Sequence, residues 1–234
     1  MSAEEFLSGQ TLLIDKPLEW SSFQVVNKLR WLIRKQFNLK KIKVGHAGTL
    51  DPLASGLLLI CTGKFTKTIN ELQGQIKEYT GTINLGATTP SYDLETEVDQ
   101  TFPTSHITED QIVEVTKQFL GEIDQFPPVF SALKKDGKRL YEYARKGEEV
   151  EVVSRRIEIN EFEITAIDLV NLKIDFRVVC SKGTYIRSLA HDFGKALNSG
   201  GHLSALRRTK IGDYSVNKAI TPKEFEEMLT KVEA

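Results

Sequence analysis

From Glu149 to Ser181 three β-like segments follow one another, "EVEVV", "RIEINEFEITAID" and "LKIDFRVVCS", with no helical pattern between them. Before them, "TLLID" reads as a strand from Thr11 to Asp15. "IKEYTGTINLG" alternates with a period near two, as a long half-exposed strand does. Strands outnumber helices and do not strictly alternate with them. That order predicts an α+β fold with a mixed, largely antiparallel sheet flanked by helices and loops, rather than a doubly wound parallel sheet.

The helices carry their own boundary signals. Ser21 or Ser22 caps a helix whose apolar positions Val25, Val26, Leu29, Leu32 and Ile33 recur at helical spacing. Thr108 and Gln111 form a capping box opening "TEDQIVEVTKQFL", which Gly121 is expected to close. "KKDGK" reads as a turn and "RLYEYARKG" as a short helix ending at Gly147. "TYIRSLAHDFGKAL" reads as a helix ended by Gly200 and Gly201. Thr221 as N-cap, Pro222 at the first helical position and Glu224 completing a capping box open the last one. No repeat or low-complexity linker interrupts the chain. It reads as one domain, 1–220, with a C-terminal helical segment, 221–234.

A chain of 234 residues, 40% hydrophobic, can bury one substantial core or two small ones. Its longest apolar runs, such as Leu57 to Cys61, are far too short to span a bilayer, and no signal peptide precedes the first strand-like run. Cys61 and Cys180 lie in β-like runs without metal-ligand spacing, so they read as buried thiols and suit a reducing cytoplasm. The net charge of −1 is unevenly spread. "NKLRWLIRKQFNLKKIK", from Asn27 to Lys43, holds seven positive charges and no negative ones. "KKDGKRLYEYARK", from Lys134 to Lys146, holds six against two, and "LRRTK" adds a third cluster. Basic patches interleaved with aromatics are the footprint of a polyanion partner; a solvated helix face explains any single one equally well.

Two phosphate- or nucleophile-binding motifs fail on inspection. "TGKFT" would need glycine where Leu58 stands and Ser or Thr where Phe65 stands to be a P-loop. "LASGL" has Leu53 in place of the first glycine of a nucleophile elbow. The four histidines, His46, His106, His191 and His202, share no ligand-like spacing, so no catalytic metal is expected.

What remains is Asp51 in "KVGHAGTLDPLASGLLLICTGKFTK", between a glycine-rich turn and an apolar run. An aspartate before proline starts turns, which is sufficient reason for it to be there. Yet Gly45 and Gly48 let the backbone approach a ligand, His46 adds a donor nearby, and Gly56 permits close packing beyond. Such a loop presents a carboxylate to a cleft with little steric cover.

These residues resemble a known family. "GHAGTLDPLASG" is similar to the catalytic loop of the TruB family of tRNA pseudouridine synthases, whose pattern is close to G-H-x-G-x-L-D-P-x-A-x-G. "DKPLEWSS", "KEYTGTINLGATTPSYDLE", "PPVFSALKKDGKRLYEYARKGEEVE", "CSKGTYIRSLAHDFG" and "GGHLSALRRTKIGDYSV" match further blocks of the family in the right order. The resemblance implies isomerisation of the T-loop uridine of tRNA, position 55, to pseudouridine without cofactor or metal, by a cytoplasmic protein, with the target base flipped out. It implies Asp51 as nucleophile, Arg187 as the arginine that keeps it ionised, and Tyr79 stacking on the uracil with its hydroxyl near the C5 proton. Tyr185 and Leu206 match positions lining the base pocket, and His46 the histidine that helps hold the extruded conformation. Lys16, Lys64 and the basic clusters would meet phosphates.

Glu19 stands where the family usually carries glycine, so that turn is expected to differ in shape, and Ala47 replaces a frequent threonine. No segment long enough for the RNA-binding PUA domain of many family members follows the core, so that domain is expected to be absent. A monomer is the default. Two other classes stay open on the residues: a non-catalytic RNA-binding or RNA-chaperone protein on the same fold, and a nucleoside hydrolase using Asp51.

Overall fold

In a computed structural model of the protein, residues 1–230 are described. The chain runs through α1 (Ala3–Ser8), β1 (Thr11–Lys16), α2 (Ser22–Gln36), β2 (Val44–His46), β3 (Ala54–Thr62) and α3 (Ile69–Gly74). There follow β4 (Lys77–Leu85), β5 (Ala87–Thr88), β6 (Gln100–Thr101), α4 (Glu109–Thr116) and β7 (Gly121–Gln125). A small hairpin, β8 (Lys134–Lys135) and β9 (Lys138–Arg139), precedes α5 (Leu140–Ala144). Then come β10 (Arg155–Asp168), β11 (Lys173–Cys180), α6 (Ile186–Ala196), β12 (Gly201–Ile211), β13 (Tyr214–Ser215) and α7 (Pro222–Thr230).

By internal contacts the chain forms two compact units: Met1–Tyr79 with the chain from Arg207 onward, and Thr80–Leu206. Strands β4 and β12 each cross a boundary. The pairs β1–β3, β2–β3, β12–β13, β10–β11 and β10–β7 are antiparallel, as the strand order of the sequence requires.

In the first unit the strand order is β1-β3-β12, with β2 also on β3. Register runs from Thr11 opposite Cys61 to Lys16 opposite Gly56. Strand β3 is buried at every position except Ser55, so both its faces are covered, and that is why its sequence is a continuous apolar run. One face packs Leu58 and Ile60 with Phe6, Ile14, Val25, Leu29, Ile33, Phe225 and Leu229. The other packs Leu57 and Leu59 with Ala47, Ile211 and Val216. The expected capping box opens α2: Ser21 Oγ accepts the Gln24 N–H at 3.2 Å, and Gln24 Oε1 accepts the Ser21 N–H at 2.7 Å. All five apolar positions expected on that helix are buried.

Helix α7 starts at the expected Thr221–Glu224 box. Its Phe225 and Leu229 are fully buried in the core just described, each such side chain stabilising by about 1.5–3 kcal/mol. The C-terminal helical segment is therefore part of a core and not an appendage; residues 231–234 of it lie outside the described residues.

In the second unit the order is β12-β4-β11-β10-β7. Its core holds Phe119, Phe162, Phe176 and Phe193, with ring centroids 5.6–6.2 Å apart. Three expectations fail here. "EVEVV" joins no strand; it alternates, but Val153 is 74% exposed, so the alternation has no sheet to pack on. Gly121 does not close α4, which ends at Thr116 and runs into a 3-10 turn; Gly121, at φ 82°, opens β7 instead. Strand β12 was not anticipated, because its polar residues from Ser204 to Lys210 leave no clean period.

Candidate active-site residues in the two units

In the first unit, the Asp51 carbonyl accepts the Ala54 N–H at 3.1 Å, so residues 51–54 form the β-turn that an Asp-Pro pair favours. Three buried polar side chains fix the backbone around it. Ser22, 2% exposed, accepts the Leu50 N–H at 2.8 Å and donates to the Leu50 carbonyl at 3.0 Å. Lys16, at the end of β1 and 0% exposed, directs Nζ to the carbonyls of Trp20 (2.6 Å), Pro17 (3.0 Å) and Pro52 (3.4 Å). Arg208, from β12 and 1% exposed, donates Nε to Leu57 O (2.8 Å), Nη2 to Gly48 O (3.1 Å) and Nη1 to Thr49 O (3.5 Å). The Glu19 N–H also reaches the Pro52 carbonyl, at 2.8 Å. Asp51 itself is half-buried. Its backbone cannot shift without breaking bonds of buried groups on both sides, each of which is costly to leave unmade.

Two glycines make this bracing possible. A Cβ on Gly56, at φ 102°, would lie 2.3 Å from the Arg208 carbonyl, so β3 meets β12 closely only where there is no side chain. Gly48, at φ 99°, turns its carbonyl toward the Arg208 guanidinium. Burial pushes the Lys16 ammonium down to a pKa of about 8; the Asp51 charge opposes that shift and the Arg208 charge adds to it. His46, on β2, is half-buried. Burial lowers its pKa as well; a hydrogen bond with the Gly48 backbone opposes that shift and the Arg208 charge adds to it. Its ring is therefore neutral at pH 7.

Tyr79 is 8% exposed on β4, and Lys64 is exposed in the 3-10 turn after β3. Lys16, expected to meet a phosphate, has no exposed surface, and its ammonium donates to backbone carbonyls around the Asp51 turn instead. The "LRRTK" cluster is likewise not a basic surface patch. Arg207 forms a two-pronged pair with Asp15 at 3.0 and 2.7 Å, Arg208 is buried, and Lys210 meets Glu78 at 3.1 Å.

In the second unit, Tyr185 and Arg187 stand at the start of α6. The Gln125 side-chain amide, 3% exposed, accepts the Tyr185 N–H at 2.8 Å and donates to its carbonyl at 3.1 Å. Ser188 Oγ donates to the Phe126 carbonyl at 2.7 Å, so the first turn of α6 is tied to the end of β7. Arg187 is 4% exposed, not a surface arginine. Its Nε lies 3.6 Å from Asp93 Oδ2, and Nη1 donates to the Ser91 carbonyl at 3.2 Å. Leu206 is half-buried on β12. Ser22, Arg208, Gln125 and Asp93 escaped the sequence reading; each is a common polar residue whose partner lies far along the chain, and spacing carries no trace of such partners.

A fixed carboxylate at a rigid turn, with buried cations close by, can act as a nucleophile or stabilise developing positive charge. Comparison with known proteins bears on which chemistry applies. The family model for TruB family pseudouridylate synthase (N terminal domain) matches residues 34–186, and that for the tRNA pseudouridylate synthase B C-terminal domain matches residues 187–234. A tRNA pseudouridine synthase B of Flavobacterium johnsoniae is 71% identical over 230 residues, covering 98% of this chain and 100% of that protein. One of Parabacteroides distasonis is 55% identical, covering 96% of this chain and 95% of its own. Among solved structures, a chain of a Cbf5-Nop10-Gar1 complex matches with a TM-score of 0.68 and 32% identity. The match covers 94% of this chain and 54% of that one, so this chain spans about half its length.

Proposed function

The chain belongs to the TruB family of pseudouridylate synthases, and from that premise we propose that it converts the T-loop uridine at position 55 of tRNA to pseudouridine, with Asp51 as nucleophile. The observation that carries the role of Asp51 is the bracing of its turn. Ser22, Lys16 and Arg208, each at most 2% exposed, hold the backbone on both sides of a carboxylate that stays half-buried.

The reaction breaks the bond between uracil N1 and ribose C1′, turns the base, and joins uracil C5 to the same carbon, with loss of the C5 proton and return of a proton to N1. Nothing is oxidised, and no water is consumed, so neither a metal nor an electron carrier is called for. As the N1–C1′ bond breaks, positive character develops at C1′, which an ionised carboxylate stabilises either by adding covalently or by its field. The order of attack on ribose or uracil is open. Arg187 is the arginine that the family pattern assigns to keeping the carboxylate charged; Tyr79 is its stacking tyrosine, and Tyr185 and Leu206 its pocket residues. Neutral His46 takes part in holding the extruded base conformation. Lys64 and the exposed cations of α2 and the β8–β9 hairpin meet phosphates, and RNA affinity is salt-sensitive. The protein works as a monomer in the cytoplasm.

The test is tritium release from uracil C5 in an unmodified tRNA transcript, with a control whose T-loop uridine is cytidine. Asp51→Asn should lower the rate by ~10⁴-fold or more, the scale seen when a nucleophile is removed elsewhere, with tRNA binding kept. Release that persists in the cytidine control overturns the site of reaction. Free uracil as product makes the protein a hydrolase, and full activity of Asp51→Asn removes Asp51 from the chemistry.

A further inference from the structure

Wholly within the second unit, between residues 88–102 and α6, lies a cavity of about 670 Å³ that none of the proposed catalytic residues lines. Its volume is in the range of small-molecule sites, about 300–1,000 Å³. One wall is a ring pair: Tyr92 and His191 stack with centroids 3.9 Å apart and planes 18° from parallel. Tyr92 holds a left-handed φ of 63°, so the chain accepts backbone strain to present that ring. Burial lowers the His191 pKa, with Lys195 adding, and the ring is uncharged at pH 7. A second wall is the Phe102 ring, packed on the bare Gly200 backbone, where a Cβ would lie 2.5 Å from it.

Two opposite charges also line the cavity. Asp99 is exposed, with one carboxylate oxygen fixed by Thr88 Oγ1 at 2.6 Å. Lys195 is exposed on α6, one turn beyond His191. Flat apolar walls with one acceptor-only group and one cation suit a planar heterocycle carrying adjacent N–H donors and a phosphate. Guanine presents its ring N–H and exocyclic amine side by side to a carboxylate. Uracil presents a single N–H between two carbonyl oxygens, which a carboxylate repels. We propose that this cavity binds a guanine nucleotide, the base against the Tyr92–His191 pair, its donor edge at Asp99 and its phosphate at Lys195. The nucleotide comes either from an RNA strand or from the free pool.

Calorimetric titration of GMP and UMP into the full chain tests this. GMP should bind about tenfold or more tighter than UMP, and both Asp99→Asn and Lys195→Ala should weaken it by about tenfold. Asp51→Asn should leave GMP binding unchanged, which keeps this result separate from the fate of the catalytic assignment. A T-arm hairpin RNA that displaces GMP identifies the strand as the source; an RNA that binds together with GMP identifies the free nucleotide. No saturable binding at millimolar GMP, equal binding of UMP, indifference to both substitutions, or loss in Asp51→Asn each overturns the proposal.

Discussion

Two aspartate-bearing loops, one in each unit, are fixed by buried cations used in opposite ways. Around Asp51, Lys16 and Arg208 give their N–H groups to the carbonyls of Pro52, Gly48, Thr49 and Leu57. Around Asp93, buried Arg187 meets the carboxylate itself, and the Thr89 and Ser91 hydroxyls donate to the Asp93 carbonyl at 2.7 and 3.2 Å. A cation on carbonyls fixes a backbone path; a cation on a carboxylate fixes a side chain. A loop braced in the first way keeps its backbone path independently of its aspartate side chain.

The largest effect should follow from removing the bracing guanidinium. Arg208→Met keeps most of the volume but leaves the buried Leu57 and half-buried Gly48 carbonyls without this donor, at about 1–3 kcal/mol each, and so should cost about 4 kcal/mol in urea unfolding. Activity should fall with it. A cost below about 1 kcal/mol would mean water replaces the arginine freely, and the bracing argument would lapse. Next comes the other loop. Asp93→Asn leaves Arg187 buried without this carboxylate, and breaking a buried pair costs about 3–5 kcal/mol. An unchanged midpoint in urea would show that Arg187 is balanced elsewhere and that the two loops do not differ as described.

The strands, the capping boxes and the Asp51 turn were legible because their signals are local: alternation, a Ser or Thr three residues before a Gln or Glu, and an Asp-Pro pair. The destination of the arginines was not. "LRRTK" has the composition of a surface patch, but Arg207 and Arg208 are neighbours on one strand, so one turns inward while the other meets Asp15, and only the pairing of that strand decides which. Lys16 was misplaced for the same reason, since its burial depends on the register of β1 against β3. Arg187 was recognisable from the resemblance, but its partner Asp93 was one carboxylate among several in an acidic loop.

Lys16 gives the Asp51 loop a pH signature. Its pKa is about 8 when folded against an ordinary 10.5, so between those values the unfolded chain holds a proton that the folded chain has shed. Stability from this group therefore rises with pH across that window, by up to ~1.4 kcal/mol per pH unit. The difference in unfolding free energy between the native chain and Lys16→Met should shift by about 2 kcal/mol in favour of the native chain from pH 8 to 10. A flat difference would mean that the ammonium is better solvated than its burial indicates.

The smallest effect concerns the turn that feeds this loop. Glu19 was expected to reshape it, standing where the family usually has glycine, yet its φ of 65° lies in the left-handed region that glycine favours, and its N–H still reaches the Pro52 carbonyl at 2.8 Å. That conformation carries strain, on the order of 1–2 kcal/mol for a side-chain-bearing residue. Glu19→Gly relieves that strain but gives the unfolded chain more freedom, which offsets about 0.5–1 kcal/mol of the gain. The net should be a stabilisation of about 0.5 kcal/mol, or a rise of about 1–2 °C in melting temperature for a chain this size. Glu19→Val should move the other way, because a β-branched side chain tolerates positive φ least. If Glu19→Gly instead destabilises by more than about 1 kcal/mol, the Glu19 side chain contributes a contact of its own, and the Asp51 loop has a surface brace besides its buried ones.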